Sequence, residues 1–210
     1  MSEISVLLYI LEDPFNVFPL QSVCKELGNL VNDTYGDMAE RSGWWGVSPK
    51  YRSVEDEHDL EMINLFIGSA FVLGQATITQ AVSIVRKLRD FAGEPSWLPK
   101  EKNSIMSMEA NIHPATGISK IILFDAIANY FKHHYEWPKD WKKAKATQQS
   151  TIDIVLTLGL VPESENNLDT ALRNLNMSTR NMSAMGHEIQ EWRERLASNI
   201  QKQLVNHGLY

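Results

Sequence analysis

Residues 53–92 read SVEDEHDLEMINLFIGSAFVLGQATITQAVSIVRKLRDFA, and this stretch decides the fold class. Apolar side chains recur across 60–85 at the three- and four-residue intervals of an amphipathic helix. Ser53 followed by Asp56 is a start of capping-box type. Glu55, Asp56, Glu57 and Asp59 load the first turns with the negative charge that the macrodipole favours. A helix over 54–92 would span about 57 Å at 1.5 Å per residue, longer than a small domain is wide. A break or bend is therefore expected at Gly68 or Gly74, where glycine also permits close approach of a neighbour. Asn64, Gln75, Thr77, Thr79 and Gln80 interrupt the apolar run, which suits a buried helix of a soluble protein better than a bilayer span.

Outward from this helix the same period dominates. Towards the N-terminus, residues 1–11 are short enough for a strand or one helical turn, Pro14 and Pro19 punctuate the chain, and a helix is expected over about 19–41. Ser42-Gly-Trp-Trp-Gly-Val-Ser-Pro then breaks the pattern, with Trp44 and Trp45 expected to pack back on the body. Towards the C-terminus, Gly93-Glu-Pro stops the long helix and 94–117 reads as a long connection, either mobile or covering a groove. Ser119 caps a helix to about 136, limited by Pro138; further helices are expected over 147–160, ending at Gly159, and over 166–175 and 182–206, with Gly208 beyond the last turn. These elements predict an all-α, up-and-down helical bundle with a long central helix in one domain. Residues 1–50 form a candidate N-terminal appendage.

Composition supports a globular chain: 210 residues with 43% hydrophobic and 22% charged side chains can bury a self-sufficient core. The single Cys24 cannot form an intramolecular disulfide and sits in an apolar helical pattern, so it is expected as a small buried hydrophobe. The apolar residues 4–11 lack a basic flank and run into Glu12-Asp13-Pro14, which argues against a signal peptide; a cytoplasmic protein without membrane attachment is expected. A formal charge of −6 disfavours broad affinity for nucleic acid and leaves room for a local basic patch. No glycine-rich phosphate loop, paired-Cys motif or nucleophile elbow occurs, so no cofactor is implied. Glu55, His58, Asp59 and Glu61 lack a second His at ligand spacing, and no metal site is expected.

Chemistry is most legible in Asn129-Tyr-Phe-Lys-His-His-Tyr-Glu-Trp-Pro-Lys-Asp-Trp141. On the preceding helix Phe124, Ile127, Ala128, Phe131 and Tyr135 share an apolar side, and Asp125, Asn129, Lys132, His133 and Glu136 share the other. Asn129 and His133, four residues apart, are placed to touch one ligand. Lys132, His133, His134, Lys139, Lys142, Lys143 and Lys145, interleaved with Tyr135, Trp137 and Trp141, make a cationic and aromatic strip of the kind that holds unpaired bases. A plainer reading has Trp137 and Trp141 anchoring the chain reversal beneath solvated lysines.

Gly117-Ile-Ser-Lys-Ile-Ile-Leu-Phe-Asp-Ala-Ile-Ala-Asn-Tyr-Phe-Lys-His-His resembles the motif helix of HEPN (higher eukaryote and prokaryote nucleotide-binding) domain proteins. In that family an Arg, a polar residue and, after three more residues, a His lie near the end of a bundle helix. Here Asn129 matches the polar residue and His133 the His, and Ala128 stands where the Arg is expected. The resemblance implies a bundle paired as a homodimer, acting in RNA binding or as a metal-independent endoribonuclease, in settings that include toxin and defence systems. It assigns Asn129 and His133 to the site, with Lys132 assisting. Cleavage by a ribose 2′-hydroxyl needs a proton acceptor near neutral pKa, a role for His133, and a fixed cation beside the phosphorane, which Ala128 does not supply. The alternative from another class is a non-enzymatic adaptor or immunity protein that binds a protein partner through its long apolar helix and the Trp44-Trp45 segment.

Overall fold

A computed structural model of the chain describes residues 2–42 and 53–210, and the expectation for Trp44 and Trp45 lies outside the described residues. The fold is an all-α helical bundle. Its α-helices among the described residues are α1 (Glu3–Glu12), α2 (Phe18–Ser42), α3 (Val54–Phe91), α4 (Lys102–Ser107), α5 (Lys120–His133), α6 (Ala146–Thr157), α7 (Asn167–Asn174) and α8 (Ser183–Asn206). Short 3-10 turns intervene, and one isolated antiparallel bridge joins Ile112 to Ser119. Residues 3–12, left between strand and helical turn by their sequence, are helical. The Ser2 hydroxyl accepts from the Ser5 amide at 3.2 Å and so caps α1.

Helix α3 is the axis of the bundle, packed against α1, α2, α5, α7 and α8. Its capping box forms in both directions: the Asp56 amide donates to Ser53 Oγ at 3.1 Å and the Ser53 amide donates to Asp56 Oδ2 at 3.2 Å. Arg41, at the end of α2, pairs with Asp56 and Asp59 and ties the two helices together at that point. By length and composition α3 is apolar enough to cross a membrane, yet most of the apolar side chains along one side of it are spent on its neighbours.

The expected break does not occur: α3 runs as one helix of 38 residues. Both glycines act as contact points instead. A Cβ on Gly68 would lie 2.2 Å from Phe131 Cδ2, so the ring of Phe131 rests directly on the helix backbone. A Cβ on Gly74 would meet Met185 Sδ at 3.0 Å. Each glycine costs the helix about 1 kcal/mol in propensity, and close packing on α5 and α8 offsets it.

The core gathers Phe71, Phe124, Ile127, Trp192 and Leu196 with Leu8, Leu11, Val17 and Val31 from α1 and α2. Cys24 belongs to this core, fully buried, with its thiol pushed up to about 12 by desolvation; it is the small hydrophobe its sequence context indicates. The connection over 94–117 contains α4 and inserts Leu98, Ile105, Met106 and His113 into the interior.

One cation is entirely enclosed. Arg193 of α8 is 0% exposed, and its guanidinium donates from Nη2 to the Ile10 carbonyl at 2.8 Å, from Nε to the Leu11 carbonyl at 3.0 Å and from Nη1 to Gln80 Oε1 at 3.3 Å. Those carbonyls belong to the last turn of α1, which has no helical donors of its own and carries the negative end of the dipole. Gln190 adds a donor to the Glu12 carbonyl at 3.3 Å. Burial pushes the Arg193 pKa down to about 10, which leaves the group charged at neutral pH. A distant helix thus caps α1.

Two stability outcomes follow from these contacts. Gly68→Ala should lower the unfolding free energy by about 1–3 kcal/mol through overpacking. In urea titrations the loss should be smaller when Phe131→Ala is already present, because the clashing ring is gone. Arg193→Met should cost about 2–4 kcal/mol, since two buried carbonyls lose their donors.

Candidate functional site

The site sought at the end of α5 is shaped by how deeply that helix is enclosed. Every residue from Leu123 to Ala128 is buried, Asp125 included. The helix begins at Ser119, whose Oγ accepts from the Ile122 amide at 3.4 Å and donates to the Met106 carbonyl at 2.8 Å. With α3 on one flank and α4, α6 and α7 around it, no side of the mid-helix faces water. Asp125 and Asn129, which periodicity places on the side opposite the apolar one, are thus interior or partly interior groups satisfied by protein.

Gln75, from the middle of α3, is the hub. Its Nε2 donates to Asp125 Oδ1 at 2.8 Å, to Asn129 Oδ1 at 2.9 Å and to the Asp125 carbonyl at 3.2 Å, and its Oε1 accepts from Lys132 Nζ at 2.5 Å. Lys102 Nζ, arriving from α4, lies 2.7 and 2.8 Å from the two Asp125 oxygens, and Asn129 Nδ2 reaches Asp125 Oδ2 at 3.3 Å. Two ammonium groups and one carboxylate are held by two amides. The low dielectric of such a place strengthens each bond and raises the cost of losing one.

This network decides what becomes of the catalytic candidates. Asn129 has its amide committed to Gln75 and Asp125, and Lys132 is bonded to Gln75. Ala128, at the position where the HEPN pattern has Arg, is 0% exposed and belongs to the core. His133 is exposed where α5 passes into the 3-10 turn His134–Glu136, and its Nδ1 lies 3.2 Å from Glu136 Oε1. That contact holds the Glu136 carboxyl below the usual carboxylate range. Asn129 and His133, although four residues apart, turn to different partners.

The strip that follows divides in two. Trp137 and Trp141 are 8% and 7% exposed and pack edge to face at 5.5 Å, each also edge-on to Tyr130 at 5.6 and 6.1 Å. They anchor the chain reversal, so their faces are withdrawn from any base. His134 stacks on Tyr130 at 4.9 Å and donates from Nδ1 to the carbonyls of Tyr130 and Phe131, closing the end of α5. Tyr135, assigned by periodicity to the apolar side, is instead 75% exposed, because the 3-10 turn rotates it away. Lys139 bonds Glu163 at 2.8 Å and Lys143 approaches Asp140 at 3.8 Å, both at the surface, where such pairs contribute little. Lys142 is exposed.

Next to the end of α5, a cavity of about 500 Å³ is lined by Tyr130, Phe131, His134 and Trp141 together with Glu57, Glu61, Glu163 and Glu165. Tyr130 Oη accepts from Asn167 Nδ2 at 2.7 Å, and burial raises the pKa of this phenol against the lowering effect of that bond. Among the described residues no group of three or more His, Cys, Asp or Glu is arranged to hold a metal ion.

Sequence reasoning missed Gln75, Lys102, Tyr130 and Asn167. Gln75 had a signal, an amide in the middle of an apolar helix, which calls for a buried partner. Lys102 and Asn167 had none, because their partners lie 23 and 37 positions away.

Gln75→Ala should lower the unfolding free energy by about 1–3 kcal/mol, because it strands Lys132 and the Asn129 amide. His133→Ala should change it by less than about 0.5 kcal/mol, and urea titration of both variants checks the contrast. No protein-family model, no curated protein and no solved structure matches this chain, so the reading of the site rests on its own geometry.

Proposed function

We propose that this chain is a HEPN-like RNA-binding protein that has lost cleavage, acting as a homodimer in the cytoplasm. The observation that carries the reading is the separation of the motif residues: Ala128 lies in the core, Asn129 is consumed by Gln75 and Asp125, and His133 stands at the surface beside Glu136. An imidazole without a convergent fixed cation has a proton acceptor and nothing to stabilise the phosphorane. One missing charged contact of that kind costs about 10²–10³ in rate. What remains for RNA is His133, Tyr135, Lys142 and Lys143, an exposed strip in an otherwise acidic chain. Lysines there meet phosphates and Tyr135 offers one face for stacking.

A second reading keeps the protein-partner class on a different surface. Tyr9, Phe15 and Phe18, at 63%, 79% and 63% exposure, put three large aromatic side chains in water around the turn between α1 and α2. Exposed aromatic anchors of this kind mark protein contacts.

Fluorescence anisotropy with a labelled single-stranded RNA, with chelator present and over a salt series, separates these. Binding by the wild type whose salt slope falls by about 1.4 in Lys142→Ala/Lys143→Ala, the loss of two phosphate contacts, supports the RNA reading; the RNA should stay intact. Cleavage that disappears in His133→Ala would restore the nuclease reading. No binding, together with partner capture lost in Phe15→Ala/Phe18→Ala, favours the protein-partner reading.

A further inference from the structure

One face of α3 is left open by the bundle and carries no charge. Residues 62–85 contain no Asp, Glu, Lys or Arg, although Leu65, Leu73, Ala76, Thr79, Gln80 and Ser83 are exposed and Ser69 and Val72 half-buried. The other long helices put charges on their outer faces, Lys25, Glu26 and Asp33 on α2 and Glu191, Glu194 and Lys202 on α8. An uncharged face about 36 Å long is foreign to a helix that meets only water, and it marks a contact.

The face has the spacing of a helix-pairing seam. Leu65, Ser69, Val72, Ala76, Thr79 and Ser83 follow one another in alternating steps of four and three, the heptad pattern by which one helix meets another. Its bulky members lie in the first half and its small ones in the second. A partner of the same sequence running the other way therefore sets Leu65 against the second copy's Ser83 and Val72 against its Ala76, bulky on small, with Ser69 and Thr79 between them. The Ser83 hydroxyl already donates to the Thr79 carbonyl at 3.0 Å, so it enters such a contact without a stranded donor.

Charge at the two ends selects the occupant. Helix α3 opens with Glu55, Asp56, Glu57, Asp59 and Glu61 and closes with Arg86, Lys87 and Arg89. Antiparallel pairing about a two-fold axis level with Gly74 lays the acidic end of each copy beside the basic end of the other and opposes the two macrodipoles, whereas parallel pairing sets like charges together. A lipid surface fits less well, because Ser69, Thr79, Gln80 and Ser83 put polar groups in the middle of the face. We propose that α3 is the self-association surface of this protein and pairs antiparallel with α3 of a second copy through Leu65, Val72, Ala76 and Ser83. The inference rests on the homodimer in the reading above and gives it a surface that uses neither His133 nor Lys142 and Lys143.

The test is sedimentation velocity of the full chain, joined to disulfide trapping. The wild type should sediment as a dimer at micromolar concentration. Ala76→Glu should weaken that dimer at least about tenfold, since it buries an unpaired charge in the seam, and should leave the circular dichroism spectrum unchanged because residue 76 is exposed in the single chain. Under mild oxidation Leu65→Cys mixed with Ser83→Cys should give a cross-linked pair. Neither chain alone should do so, because like positions then lie about 27 Å apart along the axis; Cys24 is buried and does not compete. A wild type that stays monomeric overturns this inference and the homodimer reading together. A dimer indifferent to Ala76→Glu and without the mixed cross-link overturns the α3 surface alone and leaves a homodimer paired elsewhere. Self-linking of Leu65→Cys overturns the antiparallel register. A monomer that binds phosphatidylglycerol vesicles, and loses them in Ala76→Glu, overturns the inference in favour of a lipid surface.

Discussion

The enclosure of α5 is the constraint from which the rest follows. A helix buried on all sides cannot leave Asp125, Asn129 or Lys132 to water, so the protein supplies their partners from Gln75 on α3 and Lys102 on α4. That requirement fixes the rotation of α5 against α3. The ring of Phe131 lands on Gly68, where any side chain on α3 would collide with it. Polar satisfaction and steric fit thus select the same register, and a rotation that broke one would break the other.

The same principle appears at the opposite side of the bundle. Arg193 is a buried charge whose partners are carbonyl dipoles at the end of α1 rather than a carboxylate. Through it the first helix is bound to the last by hydrogen bonds as well as by Leu8 and Leu11. Two buried polar clusters, one on each side of α3, specify where helices remote in sequence must sit, and the apolar core fills the space between them.

Around the end of α5 the electrostatics are segregated. Tyr130 is the pivot: its ring supports Trp137, Trp141 and His134, its oxygen is tied to Asn167, and its edge bounds the acidic cavity. His133 and Tyr135, at the end of α5 and in the turn after it, and Lys142 and Lys143, in the following 3-10 turn, are exposed. Glu57, Glu61, Glu163 and Glu165 also line the cavity that Tyr130 bounds.

Much of the secondary structure was legible in the chain itself. The Ser53 and Ser119 caps, the stop at Gly159 with φ +74° and the helical period of 54–91 are local signals, set by backbone hydrogen bonding within a few residues. The identity of Cys24 as a core residue was equally local, since its apolar neighbours recur at helical spacing. Periodicity failed at α5 because it reads a polar side chain as a solvent-facing one. It holds no information about a Gln fifty positions away that makes an interior polar stripe affordable. Nor could it tell that Trp137 and Trp141 close on Tyr130 while Tyr135 turns outward, which a single 3-10 turn decides. The sequence by itself determined the longer helices from α2 onward, the caps at Ser53 and Ser119, and the presence of an amide, a lysine and imidazoles at one helix end; it left α1 undecided and did not reveal α4. Only the tertiary structure decided which of those groups meet, because pairing of buried polar side chains depends on helix packing rather than on spacing along the chain.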